Sequence, residues 1–198
     1  MNTKTINVDL TNVLVKHAQK TEIREPATKI PKNRVVTETT KWIFGPDELL
    51  AEKQMGYINK MYQSIGCNNV DTENVELAKY SDQTSKFILQ QINQKIYGYY
   101  SQDLKNKKYS KPHFINTDDV LKLMVECNNM CFYCKKSVQV LYEKVREPTQ
   151  WTLDRIDNSF GHNKTNVIIA CLNCNLRRKT MHTERYVFTK QLNIVKTN

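Results

Sequence analysis

The sequence of 198 residues has only five glycines, five prolines, two tryptophans and four histidines. It has no internal repeat and no stretch near the ~18 uninterrupted apolar residues of a membrane span. Collagen-like, coiled-coil, transmembrane and disulfide-scaffold classes are excluded on these grounds. The opening residues, MNTKTINVDLTNVLVKHAQK, carry no apolar stretch of the kind a secretory signal needs. An intracellular location, cytoplasmic or nuclear, is the expectation, with no membrane partner. Apolar residues make up 39%, below the usual ~45–50%, so part of the chain is expected to be loosely ordered. Acidic residues are outnumbered 20 to 30 by Lys and Arg, giving a net charge of +10.

That charge suits a polyanionic partner, and DNA is the one considered. The 23 lysines and 20 asparagines offer a second source for it, since AT-rich coding favours both. Cysteine is informative by position. Four of the six form two Cys-x-x-Cys pairs, Cys131/Cys134 and Cys171/Cys174, while Cys67 and Cys127 stand alone. In a reducing compartment such pairs read as metal ligands before disulfides.

Three regions are expected. Residues 1–41 have weak periodicity and two prolines, and read as a flexible basic arm. Residues 42–111 read as a helical region. Ala51, Met55, Ile58, Tyr62 and Ile65 mark one helical face, and Ala78, Ser81, Ser85, Ile88, Ile92, Ile96 and Tyr99 mark a second. Two antiparallel helices packed by these faces are the expectation. Tyr97, Tyr99 and Tyr100 belong to a core or to a base-stacking surface, the core being the commoner use. The basic run 103–111 ends before Pro112, where a boundary is placed. In residues 112–198, Asn116 to Asp119 should cap a short helix. Trp151 to Ile156 and Val167 to Ile169 read as strands, and Asn173 to Met181 as a basic helix. The fold class is α+β.

Thirty-six residues separate Cys134 from Cys171. Four thiolates on one Zn²⁺ would pin the loop before the first strand to the end of the second, a structural staple with no open coordination position. Asp154 ends the first strand and Asn175 opens the last helix. One carboxylate and one amide oxygen make a hard-oxygen site suited to Mg²⁺ or Mn²⁺. Arg177, Arg178 and Lys179 on that helix, with Lys164 in the loop, are candidates to hold phosphate oxygens.

The run CFYC, LDRIDNSFGHNKTNVIIAC and LNCN resembles the HNH endonucleases, the ββα-metal fold, in a subtype with paired Cys-x-x-Cys. The resemblance spans about Asp118 to His182. It implies a metal-dependent phosphodiesterase acting on DNA. On it, Asp154 matches the metal-binding acid, Asn166 the residue that orients the loop and the base, Asn175 the final metal ligand, and Arg178 a phosphate contact. Position 155 departs from the pattern: the family places its general base there as His, and here it is Arg155. Arginine is too weakly acidic to act as a base, but it suits a phosphate or a charged transition state. His162 is the first candidate base, with a metal-bound hydroxide or Asp157 next; a turn-bracing role is open for Asp157 and a non-catalytic loop role for His162. His113 and His182 are expected at the surface, and His17 has no role. The expected function is a metal-dependent endonuclease with structural zinc and catalytic Mg²⁺ or Mn²⁺. The alternative is a DNA-binding module that kept the zinc and lost catalysis. Oligomeric state stays open: a homodimer would suit double-strand cleavage and a monomer would suit nicking.

Overall fold

The computed structural model describes residues 4–8, 42–66 and 82–196. Most of the expected basic arm (residues 9–41), and the start of the second helical face at Ala78 and Ser81, lie outside them. The chain divides into two compact units, with Asn33–Thr183 in one and the two ends of the sequence in the other.

In the larger unit a single 3-10 turn, Pro46–Leu49, leads into helix α1 (Ala51–Gly66). Helix α2 (Gln83–Lys105) starts at Asp82, whose carboxylate accepts from Ser85 N at 2.7 Å and Ser85 Oγ at 2.9 Å. Helix α3 (Thr117–Glu126) has a reciprocal cap: Asn116 Oδ1 accepts from Asp119 N, and Asp119 Oδ2 accepts from Asn116 N. An irregular segment then leads to strand β2 (Trp151–Arg155), strand β3 (Val167–Cys171) and helix α4 (Leu172–Arg178). β2 and β3 pair antiparallel, with Trp151 opposite Cys171 and Asp154 opposite Ile168. The expected order of strand, loop, strand and helix is present, and the fold is mixed α/β.

The core joins Ile58 and Met61 of α1, Ile88 and Ile92 of α2, Val120, Leu121 and Met124 of α3, and Trp151 and Leu153 of β2. Burial of side chains this size contributes roughly 1.5–3 kcal/mol each. The expected pairing of α1 with α2 is not the main helix contact; α1 packs on α3. The buried face of α1 also carries a polar group. The buried stripe of α1 runs through Gln54, not Ala51, and Gln54 acts as a peptide mimic. Its Oε1 accepts from Val140 N (2.6 Å) and Leu141 N (2.9 Å), and its Nε2 donates to Leu141 O (2.8 Å). Gln91 of α2 likewise donates to Tyr142 O. Both helices therefore dock the segment 138–142, whose backbone groups would otherwise be buried without partners.

The boundary expected at residue 111 falls inside this unit. The run after α2 is bonded to the β2–β3 loop: Lys108 Nζ donates to Asn158 O, Lys164 N donates to His113 O, and Ile115 N donates to His162 O. Phe114 bridges Asn163. Tyr100 packs its ring on Tyr109 and Phe114.

In the smaller unit, strand β1 (Lys4–Val8) pairs parallel with strand β4 (Leu192–Lys196), Lys4 opposite Leu192 and Val8 opposite Lys196. Helix α5 (Thr183–Gln191) runs directly into β4. Among the described residues no helix is long and apolar enough to cross a membrane.

Candidate metal centre and phosphate site

The segment from Cys131 to Lys136 is a tight knuckle. Lys135 N donates to Cys131 O, and Cys131 N donates to Lys136 O. Lys135 closes it at φ 57°, a left-handed conformation that glycine adopts more easily. The second pair arises where β3 passes into α4: Cys171 is the N-cap residue, and its sulfur accepts from Cys174 N at 3.4 Å.

These two turns bring the sulfurs of Cys131, Cys134, Cys171 and Cys174 within 4.8 Å of one another. None of the four is in a disulfide. The Sγ atoms of Cys134 and Cys171 are 3.9 Å apart, close to the ~3.8 Å edge of a tetrahedron built on ~2.3 Å zinc–sulfur bonds. The cluster can bind a metal such as zinc. Its acidities are split by crowding. The Cys171 thiol bonded to Cys131 holds the latter's pKa well below that of an ordinary thiol, and the same bond pushes Cys171 up. Burial pushes Cys174 up as well. A divalent cation would relieve that crowding by taking all four as thiolates.

The strand alternation of β2 sends Thr152 and Asp154 to one face, where α4 lies across them. Asn175 and Arg178, three residues apart on α4, share the helix face that meets these side chains. Asn175 Nδ2 donates to Thr152 Oγ1 (3.1 Å) and to Leu153 O (3.4 Å). Arg178 Nη1 donates to Asp154 Oδ1 at 2.5 Å, and Nη2 donates to Ile156 O at 3.3 Å. Tyr133, inside the first Cys-x-x-Cys, donates its hydroxyl to Asp154 Oδ2 at 2.7 Å. Asp154 is 4% exposed and Arg178 1%. Burial raises the Asp154 pKa, while the Tyr133 bond and the Arg178 charge pull it back down.

Asp154 and Arg178 thus meet, and Asn175 is bonded to the same strand at Thr152 and Leu153; the expected phosphate contact, Arg178, is turned onto the acid. Its guanidinium is buried against the acid and faces no solvent in this arrangement. Of the basic residues expected to hold phosphate, Lys164, Arg177 and Lys179 are exposed. Lys164 also pairs with Asp119 at 3.1 Å. Arg155 is half-buried, and its Nη1 donates to Phe160 O.

Asn166 braces the β2–β3 loop from both ends of its amide. Oδ1 accepts from Asp157 N (2.9 Å), and Nδ2 donates to Asp157 O (2.9 Å) and Gly161 O (3.0 Å). Asp157 Oδ1 accepts from Ser159 N, the turn-bracing alternative, and this bond lowers its pKa. His113 and His182 are exposed, as expected. His162, in the same loop, is buried. It is 3% exposed, its ring stacks on Tyr99 at 4.4 Å, and its Nδ1 lies 2.9 Å from Asp103 Oδ1.

Sequence reasoning missed Tyr133 and Asp103. Tyr133 had a weak signal, an aromatic hydroxyl held inside a ligand pair. Asp103 had a better one. An acid in the last turn of a helix opposes the helix dipole, and such a placement calls for a compensating partner. Compared with family models, curated proteins and solved structures, the chain matches none.

Proposed function

We propose that the chain is a metal-dependent nuclease that hydrolyses DNA phosphodiester bonds, with an HNH-type site on a zinc-stapled ββα scaffold. One observation supports this reading: helix α4 is bonded to β2 through Asn175 on Thr152 and Leu153 and through Arg178 on Asp154, at a strand–helix junction beside the cysteine cluster. The sequence resemblance gives Asp154 and Asn175 their roles on this reading.

The donor chemistry suits a hard cation. Asn175 uses its Nδ2 on Thr152 and Leu153, so Oδ1 is the end left for an ion. Each Asp154 oxygen accepts one hydrogen bond and keeps a further lone pair. Asp154 and Asn175 would hold Mg²⁺ or Mn²⁺, which when bound supplies Lewis-acid stabilisation of charge on the scissile phosphate and the leaving oxygen. The chain's own residues do the rest. Tyr133 orients the Asp154 carboxylate. Asn166 fixes the loop that carries His162. Arg155, with Lys164, Arg177 and Lys179, supplies positive charge toward the DNA backbone, so binding weakens as salt rises. His162 is the candidate group that accepts the proton of the attacking water.

A second reading has its own observation. Arg178 already neutralises Asp154 without any ion, and Arg155 stands where the family's base would be. On that reading the protein binds DNA and does not cut it. Incubating the purified chain with supercoiled plasmid and Mg²⁺ or Mn²⁺ separates the two. Nicking that disappears in Asp154→Ala supports the nuclease; salt-sensitive binding without nicking supports the module.

A further inference from the structure

We infer that Asp103, far outside the motif, is a positioning residue that fixes the His162 imidazole with its proton on Nδ1 and its lone pair on Nε2. The inference deepens the nuclease reading and rests on it for its catalytic consequence.

Asp103 lies in the last turn of α2 and is fully buried. Both of its oxygens are committed to one residue. Oδ2 accepts from the His162 backbone N–H at 2.6 Å, and Oδ1 faces His162 Nδ1 at 2.9 Å. A carboxylate is an acceptor only, so Nδ1 must be the protonated nitrogen, and in the neutral ring Nε2 is then the acceptor. Among the described residues Nε2 makes no hydrogen bond, and the His162 side chain as a whole is 4% exposed. The ring cannot swing away from this orientation. Tyr99, one turn earlier on α2, stacks on it with an interplanar angle of 26°, and the Tyr99 hydroxyl accepts from Leu153 N in β2, next to Asp154. Gly161 lets the chain come this close: a Cβ there would lie 2.5 Å from Lys108 O and 2.6 Å from Asp103 Oδ2. The charged and titratable groups around the imidazole are Asp103, Tyr99 and Arg155. Burial lowers the His162 pKa against the opposing pull of Asp103, which favours the neutral ring that a base needs.

A purely structural anchor would move stability and leave the nicking rate of the folded protein unchanged; a positioned base would move the rate with the tautomer. The experiment uses the full-length, zinc-loaded chain and the isosteric Asp103→Asn. Long-range ¹H–¹⁵N NMR reads the His162 tautomer, and plasmid nicking across pH 5–9 reads function. Wild type is expected as the Nδ1–H form. In Asp103→Asn the amide nitrogen can donate to Nδ1, so the ring should change to Nε2–H. The nicking rate should then fall about 10²–10⁴-fold, the range of a general base, with KM for DNA and zinc content unchanged. An Nε2–H ring in wild type overturns the inference, and this measurement stands even if Asp103→Asn does not fold. Wild-type nicking by an Asp103→Asn protein whose tautomer has flipped also overturns it, and leaves the nuclease reading intact. A wild-type chain that never nicks overturns the nuclease reading, and with it the catalytic role of Asp103.

Discussion

Replacing Arg178 with Met removes a cation from a place where almost no water can reach. Arg178 is 1% exposed, Asp154 is 4% exposed, and the bond between them is 2.5 Å long. Met fills much of the arginine stem's volume, so the change is chiefly one of charge. Breaking one side of a buried ion pair costs about 3–5 kcal/mol, because the remaining charge is left without compensation. For a chain of this size 1 kcal/mol is worth roughly 2–4 °C, so the melting temperature should fall by about 6–20 °C. The loss has a pH signature. The folded-state pKa of Asp154 is already above its ordinary value, and Arg178 is one of the groups pulling it down. Without Arg178 it rises further. A carboxyl with a raised folded pKa keeps its full contribution below the unfolded pKa, and loses it as pH climbs through the folded pKa. The deficit of Arg178→Met against wild type should therefore be larger at pH 8 than at pH 4. If Asp154 is also a metal ligand, Mn²⁺ should restore stability in the variant by about 2.7 kcal/mol at a hundredfold excess over its dissociation constant. Thermal melts followed by circular dichroism, with and without Mn²⁺, test all three parts. A variant as stable as wild type, with a flat pH response, refutes the charge argument. A destabilised variant indifferent to Mn²⁺ refutes the metal site and favours the DNA-binding module.

Replacing Cys171 with Ser should lose the bound zinc and unfold the β2–β3–α4 region, because Cys171 is at once a candidate ligand and the N-cap of α4; metal analysis and far-ultraviolet circular dichroism check it, and a zinc-loaded variant melting like wild type would contradict the staple. Gly161→Ala should destabilise by about 1–3 kcal/mol through overpacking, since the new Cβ meets the Lys108 carbonyl, a backbone atom that cannot rotate away; urea unfolding with an unchanged midpoint would show that the loop can shift freely.

The parts of the molecule that follow local rules were legible. The two strands, the order into α4 and the Asn116–Asp119 cap arise from patterns of residues close together in the chain, and the structure has them. The cysteine cluster was also legible, although its halves are far apart, because thiolate pairs at this spacing have few other uses. Long-range polar contacts were not legible. Nothing in a hydrophobic pattern shows that Gln54 faces inward, because glutamine is ordinarily a surface residue and becomes a core residue only when a loop supplies unpaired backbone groups. The contacts of the run 103–111 were hidden for a related reason. Its composition is polar and basic, yet Lys108 and the backbone around it are bonded to the β2–β3 loop.

The same contrast bears on the proposed nuclease site, where Arg155 stands in the place the resemblance gives to a base. A base written into the strand would be held by the strand itself. A base in the β2–β3 loop must be held by something else, and a loop cannot order its own imidazole at small entropic cost. Here the ordering groups sit on α2, outside the motif: Asp103 takes both the backbone and the ring of His162, and Tyr99 covers the ring face. A ββα unit cut away from α2 would keep its cysteines, Asp154 and Asn175. It would lose the two contacts that orient His162. On the proposed nuclease reading the helical region is then part of the site, and a change in α2 that leaves the cysteine cluster untouched should still lower the nicking rate.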